Sequence, residues 1–342
     1  MHLDLSMTTV SRALNGYPEV SEETRKRVVE AAEALGYTPN PVARRLASGK
    51  AQAVGLVLPL PEGAFGDPRF AELLAGIGER LQDEDIDLIV TAPPIEREMG
   101  AYHRIVDGGR ADALIIAQTR RDDERIRFLL DRGFPFIAYG QTELDAPYAC
   151  FDMDNVECFR LATKRLLDLG HRRIALINDR ECLNFASLRR RGFETALSEA
   201  GIAPDPELMV QTGTTEPDGE RKAARLLSLA DPPSGLICSE VHVAMGAMKA
   251  IAARGLTVGH DISVIAYDDL QLGPGLDPPL TTYSQPIRPV GVRLAEMVLQ
   301  LMAGRPAAEV NEMWVASLVP GRSDGPPPAG GRPALGPDAA AE

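Results

Sequence analysis

The chain has little that would place it among enzymes, membrane proteins or secreted proteins. Its four cysteines, Cys150, Cys158, Cys182 and Cys238, form no CxxC pair and have no metal-ligand spacing. That pattern reads as reduced, buried thiols rather than a disulfide framework or a zinc site, and no cofactor is implied. No apolar run approaches the roughly 18 residues that a membrane-spanning helix needs. No signal peptide opens the chain, so a soluble, cytoplasmic protein is expected. There is no Walker motif, no GxSxG and no sequence repeat, and no nucleophile–base pair can be nominated. Gly76-Ile77-Gly78 lies inside a helical pattern and lacks the strand–turn context of a dinucleotide fingerprint. An enzyme is therefore not expected. Positive charge is also scarce, since the formal net charge is −13. Residues 1–50 carry seven Lys/Arg against six Asp/Glu, and the remainder carries 29 against 43. Only the first 50 residues are close to neutral, so a polyanionic partner would meet that part and not the acidic body.

Within Met7–Asn15, Val10, Ala13 and Leu14 fall on one side of a helix. Thr8, Ser11, Arg12 and Asn15 fall opposite, within roughly one third of its circumference. Ser6 is a good N-cap, and Asn15-Gly16 is a good stop because both tolerate positive φ. A second helix is predicted from Ser21 to about Leu35. Ser21 caps it, Glu22 and Glu23 sit at the positive end of its dipole, and Gly36 closes it. Its stripe of Val28, Val29, Ala32 and Leu35 has to bury against something, with Val10 and Leu14 nearest. A third segment, Asn40–Gly49, has an N-cap, Pro41 at its first helical position and glycine at its end. At about two turns it is too short to be stable without a partner. Arg44 and Arg45 flank Leu46 there, so a nucleic-acid groove is a chemically suitable partner.

These three pieces closely resemble the DNA-binding head of the LacI/GalR family of bacterial transcription regulators. The resemblance is carried by Thr9-Val10-Ser11-Arg12-Ala13-Leu14-Asn15, Val20-Ser21, Thr24-Arg25, Val28, Ala31-Ala32, Leu35-Gly36-Tyr37, Pro39-Asn40, Ala43-Arg44 and Leu46. It implies that Met7, Thr8 and Arg12, with Thr9 beside them, face bases in the major groove and that Asn15 lies at the groove edge. Asn40, Ala43 and Leu46 would belong to the hinge, with Leu46 the minor-groove wedge. Arg12 is the residue here able to make a bidentate contact to guanine. In the family a full helix precedes the turn before Ser6, and here Met1–Leu5 stand in its place. A start codon assigned too late is the expectation; a head that has lost this helix is the alternative.

From Ala53 the pattern changes to short apolar runs alternating with amphipathic helices. Strands are predicted at Val54–Leu58, Asp87–Thr91, Ala113–Ala117, Phe136–Tyr139, Arg173–Ile177, Gly235–Cys238 and Ile262–Tyr267. Helices are predicted at Phe70–Gln82, Asp122–Arg132, Asn155–Leu169, Leu188–Ala200, Gly219–Leu229, Val243–Ala253 and Pro289–Met302. Such alternation means parallel sheets covered by helices, and its length calls for two doubly wound α/β lobes. The resemblance continues to about residue 322 through Asp154-Asn155, Leu169–Ala175, Arg189, Gly192-Phe193, Ala244–Met248, Ile262–Asp269 and Pro279–Thr282. It implies a body like a periplasmic sugar-binding protein, with ligand between lobes, crossovers near Asn155 and Tyr283, and homodimers formed chiefly through the lobe nearer DNA. The expected division is a head at 1–39, a hinge helix at 40–51 and a body at 52–322. Lobe 1 would take about 53–154 and 286–313, and lobe 2 about 155–283 and 314–322. The Pro/Gly/Ala-rich stretch 323–342 is expected to be disordered.

Ligands of open α/β sheets sit at the carboxyl ends of strands. Asp268 follows a predicted strand directly and should look into the cleft. Arg189 can supply a planar fork for vicinal hydroxyls. By the family pattern both match effector-binding positions. Glu240 stands where the family usually has asparagine; it only accepts hydrogen bonds, which favours hydroxyl-rich or cationic ligands. Phe70 is either a wall of the pocket or a core residue. Gln141 stands where arginine is frequent and keeps some bidentate capacity. His171 is expected to be structural. The reading is a ligand-responsive regulator, a repressor of carbohydrate genes released from operator DNA by a small sugar. The alternative is a sugar-binding dimer whose shortened head no longer binds DNA. An exported solute-binding protein would share the body, but the chain lacks the expected leader.

Overall fold

The computed structural model describes residues 4–14, 17–37, 49–59, 68–267 and 272–328. The chain forms two compact units, Met1–Gln52 and Ala53–Glu342.

In the first unit, α1 spans Met7–Leu14 and α2 spans Glu22–Ala34. The Ser6 and Ser21 hydroxyls accept from the backbone N–H of Thr9 and Thr24 at 3.1 and 3.3 Å, as capping predicts. Helix α2 ends as its glycine requires. Gly36 sits at φ +60°, Gly36 N–H donates to Glu33 O at 3.1 Å and Tyr37 N–H to Ala32 O at 2.8 Å, a Schellman closure. Ala13, Val20 and Val28 form a small core, with Leu5, Val10 and Leu14 against it. The expected stripe is corrected in part, because Ala31 is buried while Val29 and Leu35 are exposed, Leu35 by 67%. An eight-residue α1 covers only one row of α2, and the flanking rows stay outside.

The second unit runs β1 (Ala53–Val57), α3 (Pro68–Gln82), β2 (Asp87–Thr91), α4 (Glu98–Val106), β3 (Ala113–Ile116), α5 (Glu124–Asp131), β4 (Phe136–Tyr139), β5 (Ala149–Met153) and α6 (Asn155–Asp168). It continues with β6 (Ile174–Asn178), α7 (Asn184–Glu199), β7 (Met209–Gln211), α8 (Glu216–Leu227), β8 (Gly235–Cys238), α9 (Val241–Ala252) and β9 (Ser263–Tyr267). The last elements are β10 (Thr281–Ser284), α10 (Ile287–Met302), β11 (Asn311–Trp314) and β12 (Ser317–Val319). Two six-stranded sheets result, ordered β11-β5-β4-β3-β1-β2 and β12-β10-β9-β8-β6-β7. Among these strands every pairing is parallel except β10 with β12. Strands β1, β3, β6, β8 and β9 are buried throughout, as continuous apolar runs covered on both faces must be.

The chain passes between lobes after β5, after β10 and again between β11 and β12. Trp314 belongs to the first sheet through its pairing with Met153, one residue beyond the expected boundary. Short β5, β7 and β10–β12 and helix α4 are additional to the elements that the sequence pattern predicts, and α7 starts four residues before Leu188. Helices α3 and α10 cross where two glycines meet. A Cβ on Gly76 would lie 2.1 Å from Arg288 O, and one on Gly291 would lie 2.4 Å from Leu73 O. That contact is what Gly76 is for.

The expected start of the disordered stretch is also corrected. Ser323 is fully buried, its hydroxyl donates to Val264 O at 2.6 Å and Thr281 N–H donates to it at 2.8 Å. Gly325 N–H reaches Ser263 Oγ at 3.0 Å, and Asp324 pairs with Arg165. Polar groups at the amino ends of β9 and β10 thus hold this segment, which composition alone does not reveal. His171 completes the anchor: Nε2 donates to Gly325 O at 2.8 Å and Nδ1 accepts from Ser234 at 2.8 Å. Burial lowers its pKa, and it serves as a structural histidine, as expected.

Candidate functional site

In the head, Met7, Thr8 and Arg12 are exposed on α1, Met7 by 91%. A patch of thioether, hydroxyl and guanidinium is thus presented to solvent on a small, packed support. Thr9 is half-buried, and its hydroxyl is 2.9 Å from the Ser6 hydroxyl, so it belongs to the cap as much as to the face. Asn15, Asn40, Ala43 and Leu46 lie outside the described residues.

In the body, the carboxyl ends of both sheets converge on Arg189, in the second turn of α7. It is buried, and Nε donates to Asn155 Oδ1 at 3.0 Å, at the first crossover. Nη1 reaches Ser239 O at 3.3 Å and Asp179 Oδ2 at 3.5 Å. The guanidinium lies over three rings, 4.4 Å from the centroid of Tyr267, 4.5 Å from Phe185 and 5.2 Å from Phe159. Tyr267 ends β9, Asp179 follows β6 and Ser239 follows β8, so parallel topology brings together residues distant in sequence. Burial raises the pKa of Asp179 despite the opposing fields of Arg189, Arg69 and Arg180. A fixed fork, a buried carboxylate and aromatic faces are the groups that recognise a polyhydroxylated ring.

Two further connections cross between the lobes. Arg69, on the first turn of α3, ion-pairs with Glu240, the residue preceding α9. At the rim, Asn184 N–H donates to Thr119 O at 2.9 Å and Asn184 Nδ2 donates to Gln141 O at 2.9 Å. The lobe-1 side of this strap is held rigid. Gln118 sits at φ +52°, and the buried Arg125 donates to Ala117 O at 3.2 Å and Gln118 O at 3.0 Å. Glu98 and Asp123 accept from the same guanidinium at 2.7 and 2.6 Å.

Beside the crossover lies a cavity of about 310 Å³ lined by Gln141, Asp152, Asn155, Glu157, Leu188 and Arg191, among others. Asp152 accepts from Gln141 N–H at 3.0 Å and Met153 N–H at 2.8 Å, yet burial pushes its carboxyl up to about 6.

Of the expected ligand residues, the structure brings Arg189 and Glu240 into this region. Gln141 joins through its backbone carbonyl and N–H. Phe70 is half-buried and packs on the lobe core. Asp268 lies outside the described residues. Asp179, Asn184, Phe185 and Tyr267 join the site beyond the residues that the sequence points to, each where a βα unit turns over. The predicted Arg173–Ile177 strand is followed directly by Asn178; Asp179 takes that position only because β6 runs one residue further, to Asn178.

Residues 4–40 match the family described as bacterial regulatory proteins, lacI family, and residues 163–323 match the periplasmic binding protein-like domain. The HTH-type transcriptional regulator AglR of Rhizobium meliloti is 40% identical over 333 residues, covering 95% of this chain and 93% of its own. RafR of Escherichia coli, another HTH-type transcriptional regulator, is 36% identical over 321 residues, 93% of this chain and 95% of its own. Among solved structures, the lac repressor dimer bound to operator and the anti-inducer ONPF superposes with a TM-score of 0.81 at 27% identity, over 94% of this chain and 96% of that one. A CelR–cellobiose complex does so with a TM-score of 0.74 at 27% identity, over 93% and 96%. The fold, the capped helical head and this run of relatives agree: the chain is a DNA-binding transcription regulator and belongs to the LacI family.

Proposed function

We propose that the chain is a cytoplasmic, homodimeric repressor of genes for carbohydrate uptake or breakdown, released from its operator when a small sugar enters the interlobe cleft. The observation that carries this reading is the Arg189 constellation. Its donors and acceptors come from both sides of the first crossover, and its aromatic faces suit the C–H face of a sugar ring. Arg189, Glu240, Gln141 and Asp268 are the proposed effector contacts, with Phe70 behind them. Met7, Thr8, Thr9, Arg12 and Asn15 are the proposed major-groove residues, and Asn40, Ala43 and Leu46 the hinge contacts. In this reading the head and hinge take residues 1–51 and the two lobes the remainder up to the C-terminal stretch.

The CelR structure holds cellobiose, and another relative, from Haemophilus influenzae, is a ribose operon repressor, 32% identical over 303 residues. A sugar is therefore the class to try first. Effector binding would alter the relation of the lobes, shift the dimer interface and part the hinge segments. A two-turn segment that loses its partner melts, which couples the distant sites through an order–disorder step. The test is fluorescence anisotropy of the purified protein on DNA from its own gene neighbourhood, with and without sugars. Operator affinity should fall when the effector is added, and Leu46→Ala should weaken operator binding without altering sugar affinity. Operator binding that no sugar changes would refute the sensing half of the reading. No binding to any neighbouring DNA would refute the other half.

A further inference from the structure

We infer that the cleft selects an uncharged, hydroxyl-rich effector over anionic congeners such as uronates and sugar phosphates, and that Arg69 with Glu240 sets this selection. The inference rests on the reading of the Arg189 region as the effector site. Its basis is charge pairing across the lobes. Arg69 from lobe 1 is already engaged by Glu240 of lobe 2. Arg189 is already set against Asp179, Asn155 and the Ser239 carbonyl. Glu240 and Asp179 are 3% and 7% exposed, so neither carboxylate can exchange its cation for bulk water. Arg180, the other guanidinium that Asp179 feels, is exposed to solvent.

An anionic ligand has two courses in such a site, and both are costly. It can take Arg69 from Glu240, which breaks an ion pair whose carboxylate is nearly buried. Otherwise it lies beside Glu240 and Asp179 and is repelled by both. Breaking a buried ion pair is among the most destabilising single changes in a folded protein. A neutral polyol avoids both courses, because each hydroxyl donates to a carboxylate and accepts from a guanidinium without changing the charge count. The half-buried Phe185 and the buried Tyr267 add apolar ring faces that a charged ring substituent does not use. Glu240 alone would have favoured cationic ligands as well. Arg69 removes that preference by neutralising it. Discrimination here is built as an internal counter-ion, a repulsive element rather than a new attractive contact.

The experiment is isothermal titration of the full chain with matched series: galactose, galacturonate, galactosamine and galactose 6-phosphate, then the glucose series, then α- and β-linked disaccharides of each. The neutral member of the binding series should exceed its uronate and phosphate congeners by at least about tenfold in affinity. Glu240→Gln, which removes the carboxylate charge facing Arg69, should narrow or invert the neutral-to-uronate ratio by about tenfold, and Arg69→Gln should shift preference towards the amino sugar. Cooperative thermal unfolding of each variant confirms its fold, and the wild-type ratio stands without any variant. A wild-type protein that binds a uronate or phosphate better than its neutral congener overturns the inference while leaving the sugar reading intact. So does an unchanged ratio in folded Glu240→Gln. A wild-type protein that binds no carbohydrate of any charge overturns the sugar reading itself, and the inference with it.

Discussion

Replacing Arg189 with leucine isolates the electrostatic centre of the body. Arg189 Nη1 lies 3.5 Å from Asp179 Oδ2, and both side chains are buried. Two unit charges about 4 Å apart attract by about 4 kcal/mol at an effective dielectric of about 20. Burial nevertheless raises the pKa of Asp179, so the attraction offsets only part of its desolvation. Arg189→Leu removes the counter-ion and keeps much of the volume against Phe159, Phe185 and Tyr267. It should therefore cost about 3–5 kcal/mol, the range for stranding one partner of a buried pair. Asp179→Leu should cost less, because the remaining guanidinium keeps Asn155, the Ser239 carbonyl and three rings. The double variant strands no charge, so it should be more stable than the sum of the single losses predicts by at least about 2 kcal/mol. Urea unfolding gives the cycle. Trp314, the single tryptophan of the chain, reports on the first sheet from its edge-on contact with Phe151 at 5.1 Å, and far-ultraviolet circular dichroism reports on both lobes. Coincident transitions establish the two-state condition that the cycle needs. Losses that add to within about 0.5 kcal/mol would refute the pairing, and with it the charge account of the cleft.

Three other outcomes are expected. Gly76→Ala drives a methyl into the Arg288 carbonyl and should cost about 2–3 kcal/mol, whereas Gly78→Ala, two residues on in open space, should stabilise α3 by up to about 1 kcal/mol; equal effects in thermal unfolding would rule out close packing of α3 on α10. The Asp152 carboxyl is raised by burial to about 6, so its contribution is complete below the ordinary carboxylate range and is lost as pH rises through about 6. Wild-type stability relative to Asp152→Asn should thus improve by about 1–3 kcal/mol on going from about pH 7.5 to about pH 4.5, and a difference that stays flat in urea titrations would contradict it. Arg12 is exposed on α1, so Arg12→Ala should leave the unfolding midpoint unchanged but weaken operator affinity about 10- to 100-fold, as loss of one bidentate base contact does; an unchanged affinity would remove Arg12 from the reading face.

Local signals carried most of the architecture. Ser6 and Ser21 as caps, Gly36 as a left-handed stop and the buried runs of β1, β6 and β9 depend on neighbours within a few residues, where side-chain chemistry and backbone geometry are tied directly. The alternation of strands and helices, by its length, called for two lobes; the family resemblance added the crossovers between them and pointed to Arg189 and Glu240. Other features depended on partners far away in sequence, and no local pattern announces those. Asp179 becomes a site residue only because β6 lies beside β8, which sets Ser239 and Arg189 against it. Arg69 reads as one more charged residue at a helix start until the second lobe brings Glu240 to it, 171 positions later. Ser323 and Gly325 look like the beginning of a flexible end, yet Val264, Thr281 and His171 supply the hydrogen bonds that hold them. Periodicity and capping are written into consecutive residues, whereas counter-ions and the burial that shifts a carboxyl are properties of folded space.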